Sequence, residues 1–229
     1  MSCSALLDSG NMAGLDTPEA LVAFLCTASR KELQKLPSLD FQSAQNLLWQ
    51  LLAQEGSLHD IYDQIRALSA LLALQTTRGF PLDIQSLADF LSRFLRDFVQ
   101  NNSLLWSEEH MRDCESVLQI LLKYLQQAAA ALPESTQATL WGLLERASQL
   151  PKDICTQLGL LYHAGLRAST QQRVALLAQL SGQGKIAALR GILFVVAADD
   201  VEGLLGEVMS LSETSDVSLK HYSFNVITR

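Results

Sequence analysis

With 229 residues, 48% of them hydrophobic and 18% charged, the chain is too apolar for a disordered polypeptide. It is long enough to bury a sizeable core in one large or two small domains. No apolar run reaches the roughly 18 residues that a membrane span needs, and 24 acidic against 17 basic residues oppose a surface built to neutralise phosphates; neither a membrane nor nucleic acid is therefore an expected partner.

The chain opens on MSCSALLDSGNMAGLD, which has no basic segment and no long apolar run, and carries Asp8. It does not read as a secretory signal, and residues 1–15 are expected to form a flexible terminus. Four cysteines, Cys3, Cys26, Cys114 and Cys155, lie far apart without a CxxC pair. Three of them fall in apolar helical stretches, where buried free thiols are the ordinary state. Reduced thiols and the missing signal point to the cytoplasm or nucleus.

From Thr17 onward the pattern is helical. Thr17-Pro18-Glu19 sets a cap, a first-turn proline and an early carboxylate in order. About eleven helices are predicted, near 17–35, 40–54, 57–77, 82–100, 107–131, 134–149, 152–165, 169–181, 185–198, 200–211 and 216–229. The fourth places Leu87, Phe90, Leu91, Phe94 and Phe98 on one stripe, with Asp89, Arg93 and Asp97 spaced for i,i+4 pairs beside it. The fifth opens at Ser107 with Glu108 and Glu109 in its first turn and Trp106 and Met111 spaced as a hydrophobic staple. Its end, the alanine run 128–132, reads as a close-packing surface. Ser169 with Gln172, and Asp199 with Glu202, have capping-box spacing. Pro37, Pro81, Pro133 and Pro151 fall between periodic segments or just inside their starts. The connections are short, so successive helices should pack antiparallel. The expected fold is all-α.

Two segments then align. Leu189, Arg190, Phe194 and Val196 stand thirty positions before Leu219, Lys220, Phe224 and Val226. Each unit is a short apolar helix, a polar turn and a second helix with one early basic residue. In the second unit Asp216, Leu219, Lys220, Ser223, Val226 and Ile227 occupy the places of a repeat helix of the type Asp-x-x-Val-Arg-x-x-Ala-Ala-x-Ala-Leu. The segment 169–229 thus resembles HEAT and armadillo repeats, and small residues at Ala188 and Ser223 suit close helix approach. The resemblance implies antiparallel helix pairs stacked as an irregular α-solenoid. Residues 16–168 form a less regular helical region with no aligned period. In 216–229 a helical reading puts Leu219, Tyr222, Ser223, Val226 and Ile227 on one face. Tyr222, Phe224 and Val226 remain to be covered by a further repeat. The chain is therefore expected to be the beginning of a longer solenoid, and to self-associate through this open face.

No stretch carries an enzymatic signature. SGQGKIAALRG (181–191) lacks the first glycine and the hydroxyl of a phosphate-binding loop; a glycine-bearing turn between helices accounts for it. His110 and Cys114 share a helical face, as do Cys155 and His163 at two turns, but zinc requires further ligands that no spacing supplies. No Gly-x-Ser-x-Gly elbow occurs. His59-Asp60 and Glu108-Glu109 fit helix starts. Trp49, Trp106 and Trp141 sit among leucines as expected core. No catalytic residue, metal or cofactor is expected. The sequence reading is a non-enzymatic protein–protein interaction scaffold or adaptor; the alternative is a regulatory or inhibitory helical domain packed against a catalytic or pore-forming partner.

Overall fold

The computed structural model describes residues 23–25, 41–53, 61–80, 83–100, 106–195 and 204, and every regular element among them is helical. Eight α-helices carry the described chain: α1 (Phe41–Ala53), α2 (Ile61–Arg78), α3 (Ile84–Phe94), α4 (Glu108–Ala128), α5 (Glu134–Glu145), α6 (Lys152–Gly165), α7 (Thr170–Leu177) and α8 (Gly182–Val195). They correspond to the eight helices predicted between 40 and 198. The other three predicted helices fall outside the described residues, except for the helical positions 23–25 and Leu204. Tyr222, Phe224 and Val226, the second half of the thirty-residue alignment and residues 1–15 lie outside them as well.

Local signals behave as their chemistry requires. Ser107 caps α4, its Oγ accepting the His110 amide at 3.1 Å, with Glu108 and Glu109 in the first turn. Ser169 and Gln172 form a reciprocal capping box on α7: the Ser169 amide donates to Gln172 Oε1 at 2.9 Å and the Gln172 amide to Ser169 Oγ at 3.3 Å. Such caps contribute about 1 kcal/mol each, whereas fully burying one leucine contributes roughly 1.5–3 kcal/mol. The apolar stripes therefore decide the packing and the caps only trim the ends.

Two departures from the expected helices occur. The predicted fourth helix does not stay α: Leu95–Gln100 is π-helical, with Leu95 and Val99 fully buried. The alanine run does not continue the helix as expected, although Ala128, Ala130 and Ala131 are half-buried. α4 stops at Ala128 because Ala129 turns left-handed (φ 47°, ψ 33°), and Ala129 is exposed. Leu132, just after, is the residue that buries.

The chain divides into two compact units, 1–90 and 91–229, with the division inside α3. In the first, α1 packs on α2, and Ala44, Leu48 and Leu52 are buried, as are Ala67, Leu68 and Leu71. On α3, Leu87, Phe90, Leu91 and Phe94 are all buried, as the stripe predicts.

In the second unit α6 is the central element, packed by α4, α5 and α8. Leu118, Leu121 and Leu125 of α4 are buried, as are Ile154, Leu158 and Leu161 of α6. α6 and α8 run parallel. Cys155 meets Gln183, Gly159 meets Ala187 and His163 meets Gly191, a constant step of 28 residues (183 minus 155, 187 minus 159, 191 minus 163). The short α7 returns the chain between them. This seam is close because it is built from glycines. A Cβ on Gly159 would lie 2.1 Å from the Ala187 carbonyl oxygen, and one on Gly191 2.2 Å from the Gly159 carbonyl oxygen. Ala188, predicted as a close-approach position, is fully buried at the same seam.

Candidate functional site

A cluster of polar contacts lies where α6 ends. Past its last turn a helix leaves carbonyls without amide partners, and Arg173, from the first turn of α7, supplies donors to this stretch. Its Nη1 donates to the His163 carbonyl at 2.6 Å, its Nη2 to the Leu166 carbonyl at 2.5 Å and its Nε to the Ala168 carbonyl at 3.1 Å. From the other side, Gln137 Nε2 donates to the Leu132 carbonyl at 2.7 Å and the Gly165 carbonyl at 3.3 Å, while the Leu132 amide donates to Gly165 at 2.9 Å. Three connections thereby converge on one helix end.

His163 sits inside this cluster at 1% exposure. Arg173 Nη1 lies 3.3 Å from its Nδ1. Burial first, and the neighbouring guanidinium second, push the imidazole down to about 3. It is neutral at physiological pH and poorly placed for acid–base work there. Its ring stands edge-on to Tyr162 at 5.0 Å, and Tyr162 lies 5.1 Å from Trp141, whose Nε1 donates to Glu145 Oε1 at 3.1 Å.

The thiols are equally quiet. Cys155 is buried; burial pushes it up to about 11, although Gln183 Nε2, at 3.1 Å from Sγ, pulls the other way. Its Sγ also lies 3.4 Å from the Ala147 carbonyl. Cys114 is fully buried and shifted up by the same desolvation. Neither has the low-pKa, accessible setting of a reactive thiol. Cys3 and Cys26 lie outside the described residues.

The residues of the metal pairings weighed in the sequence have other neighbours in the structure. His110 packs edge-on against Trp106 at 4.7 Å, while Cys114 is enclosed in the core. Cys155 faces Gln183 and His163 faces Arg173. Among the described residues no group of three His, Cys, Asp or Glu side chains is placed to hold a metal ion, and no helix is long and apolar enough to cross a membrane. The glycines of 181–191 serve packing: Gly182 (φ 50°) begins α8, and Gly184 and Gly191 lie inside the helix against the Leu144 and Gly159 carbonyls. The three tryptophans are half-buried rather than core. His59 and Asp60 lie outside the described residues.

A cleft of about 40 Å³ is lined by Gln100, Leu143, Arg146, Gln149 and Leu150. It is far below the roughly 300–1,000 Å³ of a small-molecule site. The outer face of α8 is different in kind. Phe194 is 47% exposed and shares a helical turn with the exposed Arg190, whose Nη1 donates to Thr156 Oγ1 of α6 at 2.9 Å. Leu51 of the first unit, at 40%, is the other exposed large apolar side chain among the described residues.

The sequence alignment pairs Phe194 with Phe224 without marking its face, and the structure places Phe194 at the surface. The His163–Arg173 contact had no sequence signal, since ten residues across a helix end fit neither helical period. Compared with known proteins, the chain matches no family model, no curated protein and no solved structure.

Proposed function

We propose that the chain is a non-enzymatic scaffold or adaptor that binds other proteins along an irregular HEAT/armadillo-like stack of helix pairs. The observation that carries this reading is the parallel seam of α6 and α8, with α7 as the returning helix and a constant step of 28 residues. An α-solenoid grows by laying each repeat on the last, and the step is close to the thirty-residue spacing of the sequence alignment. The chemistry of the second unit points the same way. Its buried imidazole is neutral and tied to Arg173, and its two described thiols are desolvated. Its outer face instead offers Phe194 beside Arg190, a pairing of residue types enriched at protein interfaces.

Site-specific photo-crosslinking tests the proposal. A photoreactive residue in place of Phe194, in the full chain inside cells that express it, should label a discrete set of proteins. Arg190→Glu should abolish that labelling without moving the melting temperature. The same probe at Lys123, exposed on α4, should not yield that set. Identical labelling from both positions would remove the α8 face as a docking surface. Small-angle scattering gives a separate check on the stack, with an elongated particle expected; a compact sphere opposes the solenoid reading.

A further inference from the structure

The cluster at the end of α6 contains a group that scaffolding does not require. A guanidinium only donates hydrogen bonds, so the Nδ1 lone pair of His163 is the acceptor for Arg173 and the ring proton resides on Nε2. Nε2 finds no hydrogen-bonding partner among the described residues. The titratable groups facing the ring are Arg173 from α7 and Tyr162 from α6 itself, and α8 presents the backbone of Gly191. No carboxylate pairs with His163 among the described residues, and none contributes to its shifted titration. A proton entering this site must take the lone pair that Arg173 already uses.

We propose that His163 and Arg173 form an acid-sensitive latch, in which protonation of Nδ1 displaces the guanidinium and releases α7 and α8 from α6. Once protonated, the imidazolium and the guanidinium are like charges side by side in a buried site, where repulsion is stronger than in water. Losing Arg173 also strips donors from the carbonyls of His163, Leu166 and Ala168, the contacts that tie the start of α7 to the end of α6. The sign follows from linkage. The closed state holds the imidazole down at about 3, while the opened segment restores its ordinary 6.5. Opening therefore takes up a proton, and the closed state is favoured above pH 6.5 and weakens as the pH falls. With those two values, the opening equilibrium of α7–α8 rises roughly thirtyfold between pH 7.5 and pH 5.

Native-state hydrogen exchange of the whole chain, corrected for the intrinsic pH dependence of exchange, tests the latch. Protection over 166–192 should fall about thirtyfold from pH 7.5 to pH 5, with a change below about threefold over 114–125 of α4. His163→Gln retains a neutral acceptor for Arg173 but cannot titrate, and should remove most of the difference between the segments. Equal losses in both segments, or a His163→Gln chain with the wild-type pH slope, would overturn the proposal. A measurement on the wild-type chain keeps the test decisive if that variant does not fold. The His163 ring resonance of the folded protein should not titrate between pH 7.5 and pH 5. A midpoint near 6.5 in the native signal would mean that the proton does not compete with Arg173.

Discussion

Replacing glycines by alanine at three helical positions separates local propensity from tertiary contact. In an open helix interior, Gly→Ala stabilises by roughly 0.8–1 kcal/mol through propensity alone. Gly142, in α5, meets nothing within 4 Å where a Cβ would stand, so Gly142→Ala should show that full gain. At about 2–4 °C per kcal/mol for a chain of this size, its melting temperature should rise by about 2–4 °C. Gly159 gains the same propensity and then meets the seam. Its Cβ would stand 2.1 Å from the Ala187 carbonyl oxygen, where ordinary contact begins at 3.4 Å. The obstruction is backbone, so no rotamer change relieves it, and α6 and α8 must part by more than an ångström. Overpacking of this kind costs about 1–3 kcal/mol and sometimes more, while the parted seam also loosens Ala188 and Ile192, both fully buried. A net loss of up to about 2 kcal/mol, or up to about 8 °C, is expected for Gly159→Ala, against the gain at Gly142. Gly191→Ala, opposed by the Gly159 carbonyl oxygen at 2.2 Å, should behave alike. Urea unfolding followed by circular dichroism, with equal slopes required across the set, measures all three. If Gly159→Ala matches Gly142→Ala in sign and size, the parallel backbone-to-backbone register of α6 and α8 is wrong.

Ala129 holds a left-handed conformation that disfavours a side chain, so Ala129→Gly should raise stability by roughly 1 kcal/mol in the same assay. Burial and then Glu109 raise the Asp113 carboxyl, and burial and then Asp153 raise Glu115. A carboxyl raised in the folded state weakens the fold above its titration and ceases to do so below it. Asp113→Asn and Glu115→Gln should therefore increase the melting temperature at pH 7 and lose that advantage by pH 4; a decrease at pH 7 refutes the assignment. In a Cys3→Ser, Cys26→Ser background, the two remaining thiols should react with a disulfide reagent only as fast as the fold opens. Prompt labelling of the native protein at pH 7 would contradict their burial. Neither EDTA nor ATP with magnesium should move the melting temperature, since a ligand present at 100 times its Kd adds about 2.7 kcal/mol to the folded state. A reproducible shift of several degrees with either reagent would disprove this.

Local chemistry was legible in the sequence because each signal is contained within a turn or two of chain. The spacing of Leu87, Phe90, Leu91 and Phe94 fixes a buried face, and Ser107 and Ser169 fix two helix starts through bonds that span three residues. The end of α4 was misread because alanine favours helix at every position of the run, and only the turn toward Leu132 sets Ala129 left-handed. The burial of Cys114 and Cys155 follows from helical faces that can be drawn on paper, whereas the candidate face of Tyr222, Phe224 and Val226 lies outside the described residues. The partners of those faces are another matter. Nothing in the stretch around Gly159 states that its missing Cβ makes room for the Ala187 carbonyl, and nothing near His163 states that Arg173 will take its Nδ1 lone pair. Periodicity specifies which side of a helix avoids water, but apolar burial is non-directional and leaves the neighbour open. Register, close approach and the neutral state of a buried imidazole arise only when specific backbone atoms from distant segments meet, and the folded chain alone decides which atoms those are.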